Sequence, residues 1–344
     1  MITTPNADYP QLPTCDATQV VEFFRTDAPK IFRATFTNKC RLRWLLEGFA
    51  SLLGSIYSAR PLEDLLLATF RNACLSEALT SVIIPAFDTR DQVPVFFSNL
   101  QGVDEANPLY NVHVKDACRA TTAVPIFFPP ARFKDQNQPG RSKVFNVIDG
   151  GIAVNDPTFV AVTQAIVQER QAIEQDNIQI TVELEKIKGQ ASEAEQQTIK
   201  ECLQKNMKER SRDCTDFSNV LVLSLGTGQH RMRFLANPHW SSVQWLLNRS
   251  GSPLLSSFLL ASEDMVEYYT SMIFDPHKSG RHYLRIQTEL SESEFLKIDD
   301  GTKENLKQLE LAEEELVRFH NVSRRNFAPR TPEDETDCRK ALYR

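Results

Sequence analysis

The sequence predicts an α/β fold, and three observations carry that prediction. Two nearly continuous apolar runs, VFNVID (144–149) and NVLVLSLGTG (219–228), end in glycine turns. Such runs mark strands buried on both faces, as in a parallel sheet covered by helices. Segments with helical spacing lie before, between and after these runs, which is the alternation that α/β folds require. The chain is also long enough, at 344 residues, to bury one large core or two smaller ones.

The elements follow in order. ATQVVEFFRTDAPKIF (17–32) spaces Val20, Val21, Phe24 and Ile31 helically behind Asp16, a capping residue. PLEDLLLATF opens a second helix, with Pro61 in its first turn and acidic residues behind it. SVIIPAF (81–87) and VPVFFSN (93–99) are rich in β-branched and aromatic residues, and polar TRDQ between them predicts paired strands. VFNVID is the next strand and NVLVLSLGTG a later one. Beyond Gly228, SSVQWLLN (241–248), PLLSSFLLASEDMVEYYTSMIF (253–274) and TKENLKQLELAEEELVRF (302–319) predict helices, with HYLRIQ (282–287) as a strand among them.

From about Gln168 to Asp213 the chain is dominated by Glu, Gln and Lys. Ile180, Leu184, Ile187, Ala191 and Ala194 fall at four-and-three spacing, and Ile199, Leu203 and Met207 continue a stripe in a shifted register. This predicts a charged helical insertion, either packing its stripe on itself or offering it to a helical partner. The tail from 326 to 344 is polar and expected to be loose. The expected organisation is one domain over 1–325, interrupted by the insertion at about 168–213.

Composition excludes several classes. A net charge of −6 argues against a nucleic-acid binder. No run of about 18 apolar residues is present to span a membrane. The first residues, MITTPNADYPQLPTCD, carry neither a basic nor an apolar signal region. Seven scattered cysteines with no C-x-x-C predict reduced thiols. Together these predict a cytoplasmic protein, peripheral to membranes if it meets them.

The chemistry concentrates in VIDGGIAVNDP. Asp149 closes the VFNVID run and is followed by Gly150 and Gly151, which permit positive φ or the close approach of another backbone. A carboxylate at a strand's carboxyl end can serve as general base to a nearby hydroxyl, or the motif can be a plain structural turn. Other groupings are weaker. His277 and His282 near Asp275 lack the spacing of a metal site, and no metal or cofactor is expected. A triad of Ser224, His230 and Asp149 would need Ser224 on a nucleophile elbow, which LSLGTG does not provide. Arg119 in CRATTAVPIFF could face the site or an anionic headgroup, or make a structural ion pair. Ile126, Phe127 and Phe128 suit a core better than an acyl pocket.

Taken in order, LTSVIIPAFD, VPVFFSN, CRATTAVPIFFPP, VIDGGIAVNDP, LVLSLGTG, the run ASEDMVEYYTSMIF, HYLRIQ and TKENLKQL resemble the patatin-like phospholipases, the plant lipid acyl hydrolases. The resemblance spans roughly residues 17 to 325 apart from the insertion. It implies a three-layer α/β/α sandwich with a mostly parallel central sheet, a membrane or glycerolipid substrate, and hydrolysis by a serine–aspartate dyad. In that scheme Asp149 of the Asp149-Gly150-Gly151 motif takes the proton of a serine on a G-x-S-x-G elbow. Two departures stand out. Asp156 occupies the second position of a usual Asn-Asn-Pro and is expected to cap the next helix. The chain also contains no G-x-S-x-G and no glycine-rich oxyanion loop. MITTPNAD is similar to the end of the helix that follows the nucleophile, so the expectation is an N-terminally truncated domain, inactive as it stands. A non-catalytic relative acting as an interaction or storage protein is the alternative.

Overall fold

In the computed structural model, residues 1, 3–6, 9–32, 54–100, 109–135, 143–187, 197, 220–228, 241–246, 253–274, 282–287 and 299–319 are described. They form two compact units. The first comprises Met1–Pro157, Leu225–Glu267 and Arg285–Arg344; the second comprises Thr158–Ser224 and Tyr268–Leu284.

The first unit opens with α1 (Ala17–Ile31), started by a capping box in which the Asp16 side chain accepts from the Gln19 amide. Its apolar stripe is less inward than the spacing suggests, since Val21 and Phe24 are exposed and only Ala28 is buried. Helix α2 (Arg60–Phe70) carries Pro61 in its first turn and buries Leu62, Leu66 and Phe70 at four-residue spacing. Strands β1 (Ile83–Asp88) and β2 (Val93–Ser98) form the expected antiparallel hairpin. Asp88 is fully buried, and its Oδ1 accepts from the Arg90 N–H at 3.0 Å, which closes the TRDQ turn. The short β3 (Leu109–Tyr110) leads into α3 (Val114–Thr121), and β4 (Ala131–Lys134) precedes β5 (Val144–Asp149).

The sheet order is β3-β2-β1-β5-β4. Strand β5 has the bounds read from sequence, but its pairing differs from expectation. It runs antiparallel to both β1 and β4, and only β2–β3 is parallel in this sheet. The α/β class stands with a mixed sheet. An apolar run reports how a strand is covered and says nothing of its neighbours' direction. Burial in β5 alternates: Phe145 and Val147 are fully buried, while Asn146 and Ile148 are partly exposed. On the buried face, Phe97, Phe133, Tyr110 and Phe145 form edge-to-face and tilted ring pairs. Val114, Ala117 and Ala120 of α3 join the same core.

Beyond β5 come a one-turn α4 (Gly151–Val154) and α5 (Thr158–Ile187). Helix α5 passes through residue 168 without a break, so the charged segment begins as the continuation of a helix that starts ten residues earlier. The later stripe positions, Ala191 to Met207, lie outside the described residues, as does the tail. In the second unit, Phe159 packs on Tyr269 and Phe274 stacks on Tyr283.

Strands β6 (Val222–Leu225) and β7 (Tyr283–Ile286) make a two-stranded sheet. The Val222 and Gly226 amides donate to the His282 and Ile286 carbonyls, so this pair runs parallel. The reading of β6 as buried on both faces is corrected. Leu221, Leu223 and Leu225 are 79%, 52% and 66% exposed, whereas Ser224 on the opposite face is buried. The remaining helices are α6 (Ser242–Leu246), α7 (Pro253–Ile273) and α8 (Lys303–Phe319), matching the sequence expectation. Among the described residues, no helix is long and apolar enough to cross a membrane.

Candidate functional site

Asp149 is the last residue of β5, and the strand's period of two places it on the same face as Phe145 and Val147. It pairs in register with the fully buried Ala86 of β1, and its amide donates to the Ala123 carbonyl just beyond α3. The carboxyl group therefore points to the side of the sheet that carries the core. Burial pushes its pKa up from 3.8 to about 6, opposed by one hydrogen bond from the Gly151 amide. That bond, Gly151 N–H to Asp149 Oδ1 at 2.7 Å, fixes the carboxylate's orientation and leaves Oδ2 for other work.

The two glycines are required by close approach. A Cβ at Gly150 would stand 2.3 Å from the Pro85 carbonyl oxygen, so β1 lies directly against the turn. A Cβ at Gly151 would meet Asp149 Oδ1 at 2.8 Å and displace the carboxylate itself. Gly150 keeps an ordinary φ of −69°, so positive φ is not the reason for it. Three residues past Ala123, Ile126 takes φ 77°, which a β-branched side chain rarely adopts. Its carbonyl accepts from Ile56, and that of Phe127 from Tyr57, which pins this turn. Tyr57 packs on both Phe127 and Phe128; Phe128 is buried, while Ile126 and Phe127 stay partly exposed.

The remaining sequence candidates fall out differently. Arg119 is a structural brace: its Nε donates to Glu63 of α2 at 3.0 Å and its Nη2 to the Pro129 carbonyl at 2.8 Å. Ser224 is buried, and its Oγ lies 2.6 Å from the Thr158 Oγ1. His230, His277 and Asp275 lie outside the described residues. Among the described residues, no group of three potential metal ligands occurs, and no side-chain hydroxyl reaches Asp149.

Asp156 also enters an ion pair that its flanking sequence does not announce. Its carboxylate is buried, and its Oδ2 lies 2.8 Å from Nη1 of Arg285 on β7. Arg285 Nη2 reaches Glu263 Oε1 of α7 at 2.6 Å, and Gln287 donates to that same oxygen at 2.9 Å. Gln287 Oε1 in turn accepts the Gly228 amide at 2.8 Å. Asn155 donates to the Leu259 carbonyl at 3.3 Å and lies 3.5 Å from Glu263 Oε2. Glu267, one helical turn further along α7, is also buried, and burial raises its pKa to about 7 against the pull of Arg285. The sequence carried a signal for this network. Glu263 and Glu267 share one face of a largely apolar helix at i, i+4, and Arg285 and Gln287 share one face of HYLRIQ.

The α/β fold thus carries a glycine-framed, partly buried aspartate at the tip of an interior strand of its sheet. Comparison with known proteins makes the assignment specific. Residues 12–162 match the patatin-like phospholipase family model. The chain is 29% identical over 322 residues to patatin-like protein 3 of Arabidopsis thaliana, covering 92% of this chain and 66% of that protein. It is 29% identical over 338 residues to patatin-like protein 2 of Oryza sativa subsp. japonica, covering 94% and 71% respectively. Patatin-2-Kuras 4 of Solanum tuberosum is 26% identical over 324 residues, covering 92% and 71%. Residues 12–162 are thus similar to the patatin-like phospholipases, and the chain is similar to patatin-like proteins along nearly all of its length. It spans about two thirds of the length of those relatives.

Proposed function

We propose that this chain carries the base of a lipid acyl hydrolase site, with Asp149 accepting a serine proton as the serine oxygen attacks the carbonyl carbon of a glycerolipid ester. The observation that supports it most is the state of Asp149 itself. A carboxyl raised to about 6 is ionised at neutral pH and is far more basic than an ordinary aspartate. With Oδ1 held by the Gly151 amide, Oδ2 is the oxygen that takes the proton. The proton would pass to the departing alkoxide, and an acyl-enzyme would then be released by water with Asp149 again as base.

The serine of that dyad is not furnished by any G-x-S-x-G in these 344 residues. The 344-residue chain on its own is thus proposed to be silent toward esters and fluorophosphonate probes. Joined behind an elbow-bearing segment from a patatin-like relative, it should hydrolyse phospholipid or galactolipid esters. In that chimera Asp149→Asn should lower kcat/KM by about 10²–10⁴-fold. Undiminished turnover in Asp149→Asn would remove Asp149 from the base role.

The missing motif favours one second reading, a patatin-like protein without catalysis that works through interaction or storage. Ile178 and Val182, exposed four residues apart on α5, offer such a protein an apolar contact for a helical partner. A folded chimera that stays silent toward every ester tested would support that reading.

A further inference from the structure

We propose that Arg285 is a positioning residue for the Asp149 turn, holding its far end by pairing with Asp156 and Glu263 at once. This inference rests on Asp149 being the base. The turn from Asp149 to Asp156 is fixed at its start by β5 pairing and by the contact of Gly150 with Pro85. Its other end is met by side chains, chief among them that of Arg285 of β7.

Helix α7 lies along this turn. A Cβ on Gly151 would come within 3.2 Å of Leu259, the Leu259 carbonyl takes the Asn155 amide, and Glu263 one helical turn later also receives Asn155. Arg285 joins the two partners through separate nitrogens, Nη1 to Asp156 of the turn and Nη2 to Glu263 of the helix. All three side chains are nine-tenths or more buried. A planar guanidinium with two fixed carboxylates is a rigid joint, which a lysine could not reproduce. Removing one partner from such a buried network leaves an uncompensated charge, so the joint opens as a unit.

The consequence reaches Asp149 through Gly151. The amide that orients the carboxylate opens the one-turn helix Gly151–Val154, and Asp156, which meets Arg285, lies two residues beyond its end. The raised pKa of Asp149 comes from burial opposed by that amide alone, with no charged side chain among the described residues contributing. Loosening the turn would hydrate the carboxyl group and release the amide together. An arginine that only stabilised the fold would change the unfolding midpoint and leave both unmoved.

The test uses the 344-residue chain, with aspartate carboxyl carbons and glycine amides labelled for NMR. The wild-type Asp149 resonance should titrate near 6. In Arg285→Gln its midpoint should fall by about one unit or more toward 3.8, and Gly151 amide exchange should accelerate. Asp156→Asn keeps the side chain's shape and an oxygen toward Arg285, so it carries the test if Arg285→Gln does not fold. It should move both readouts the same way. A folded variant with wild-type Asp149 titration and wild-type Gly151 protection would overturn the positioning role. No ester enters this experiment, so its failure is separate from that of the hydrolase reading, which a wild-type midpoint at 3.8 would undercut instead.

Discussion

Asp149 should cost this protein stability at neutral pH, and replacing it by asparagine should recover that cost. Its folded pKa is raised from 3.8 to about 6, so the folded state binds the proton more tightly than the unfolded chain does. Folding stability therefore falls as pH rises through that window, and the penalty is complete above it. A shift of roughly two units corresponds to about 3 kcal/mol at 1.36 kcal/mol per unit. The side chain is only partly buried, and solvent screening reduces the expected penalty to about 1–2 kcal/mol. The substituted amide of Asp149→Asn is neutral at every pH, and its oxygen can accept the Gly151 amide as Oδ1 does now.

Asp149→Asn should thus be about 1–2 kcal/mol more stable than wild type at pH 8, and indistinguishable from it below about pH 4. For a chain of this size the gain is a rise of roughly 2–4 °C in Tm. Thermal or urea unfolding followed by circular dichroism at pH 4, 6 and 8 measures it. Equal stability at pH 8, or a gain of the same size at pH 4, would refute the reasoning, because only a titrating carboxylate makes the difference depend on pH.

Two further outcomes follow from the same geometry. Gly150→Ala drives a methyl to 2.3 Å from the Pro85 carbonyl oxygen, a backbone atom that cannot swing away. A loss of about 2–4 kcal/mol in urea unfolding is expected, and a loss under about 0.5 kcal/mol would mean that the β1–β5 junction yields. Glu267, raised from 4.5 to about 7 by burial first and by its acidic neighbours next, likewise makes stability fall as pH climbs through that interval. Glu267→Gln should remove on the order of 2–3 kcal/mol of that decline, read as a flatter profile of Tm between pH 5 and 8. A profile as steep as wild type would place the titration elsewhere.

What the sequence disclosed divides by range. Local patterns were legible: the Asp16 cap, Pro61 in the first turn of α2, the β1–β2 hairpin and the bounds of β5 are all set by residues within a few positions of one another. Strand direction was not, because Val144–Asp149 would present the same apolar run whether its neighbours ran with it or against it. Nor was the exposure of Leu221, Leu223 and Leu225, since an apolar residue records a need for cover without naming what supplies it. The role of Arg119 as a brace depends on Glu63 and Pro129, which lie 56 and 10 positions away in the chain.

The burial of Asp149 itself follows from counting. Phe145 and Val147 face the core, so the second residue beyond them does too, and a carboxyl on that face must carry a raised pKa. The turn that follows is where this chain departs from the pattern it resembles, with Asp156 in place of an asparagine. A buried carboxylate there requires a cation, and Arg285, 129 positions later, is the one that meets it. An asparagine at 156 would leave Arg285 balanced by Glu263 alone among its nearest partners, while a neutral residue at 285 would strand two buried acids. The two positions are thus joined by a buried ion pair, which Arg285 extends to Glu263. On the proposed reading, the support of the Asp149 turn therefore extends beyond Gly151 to the arginine on β7.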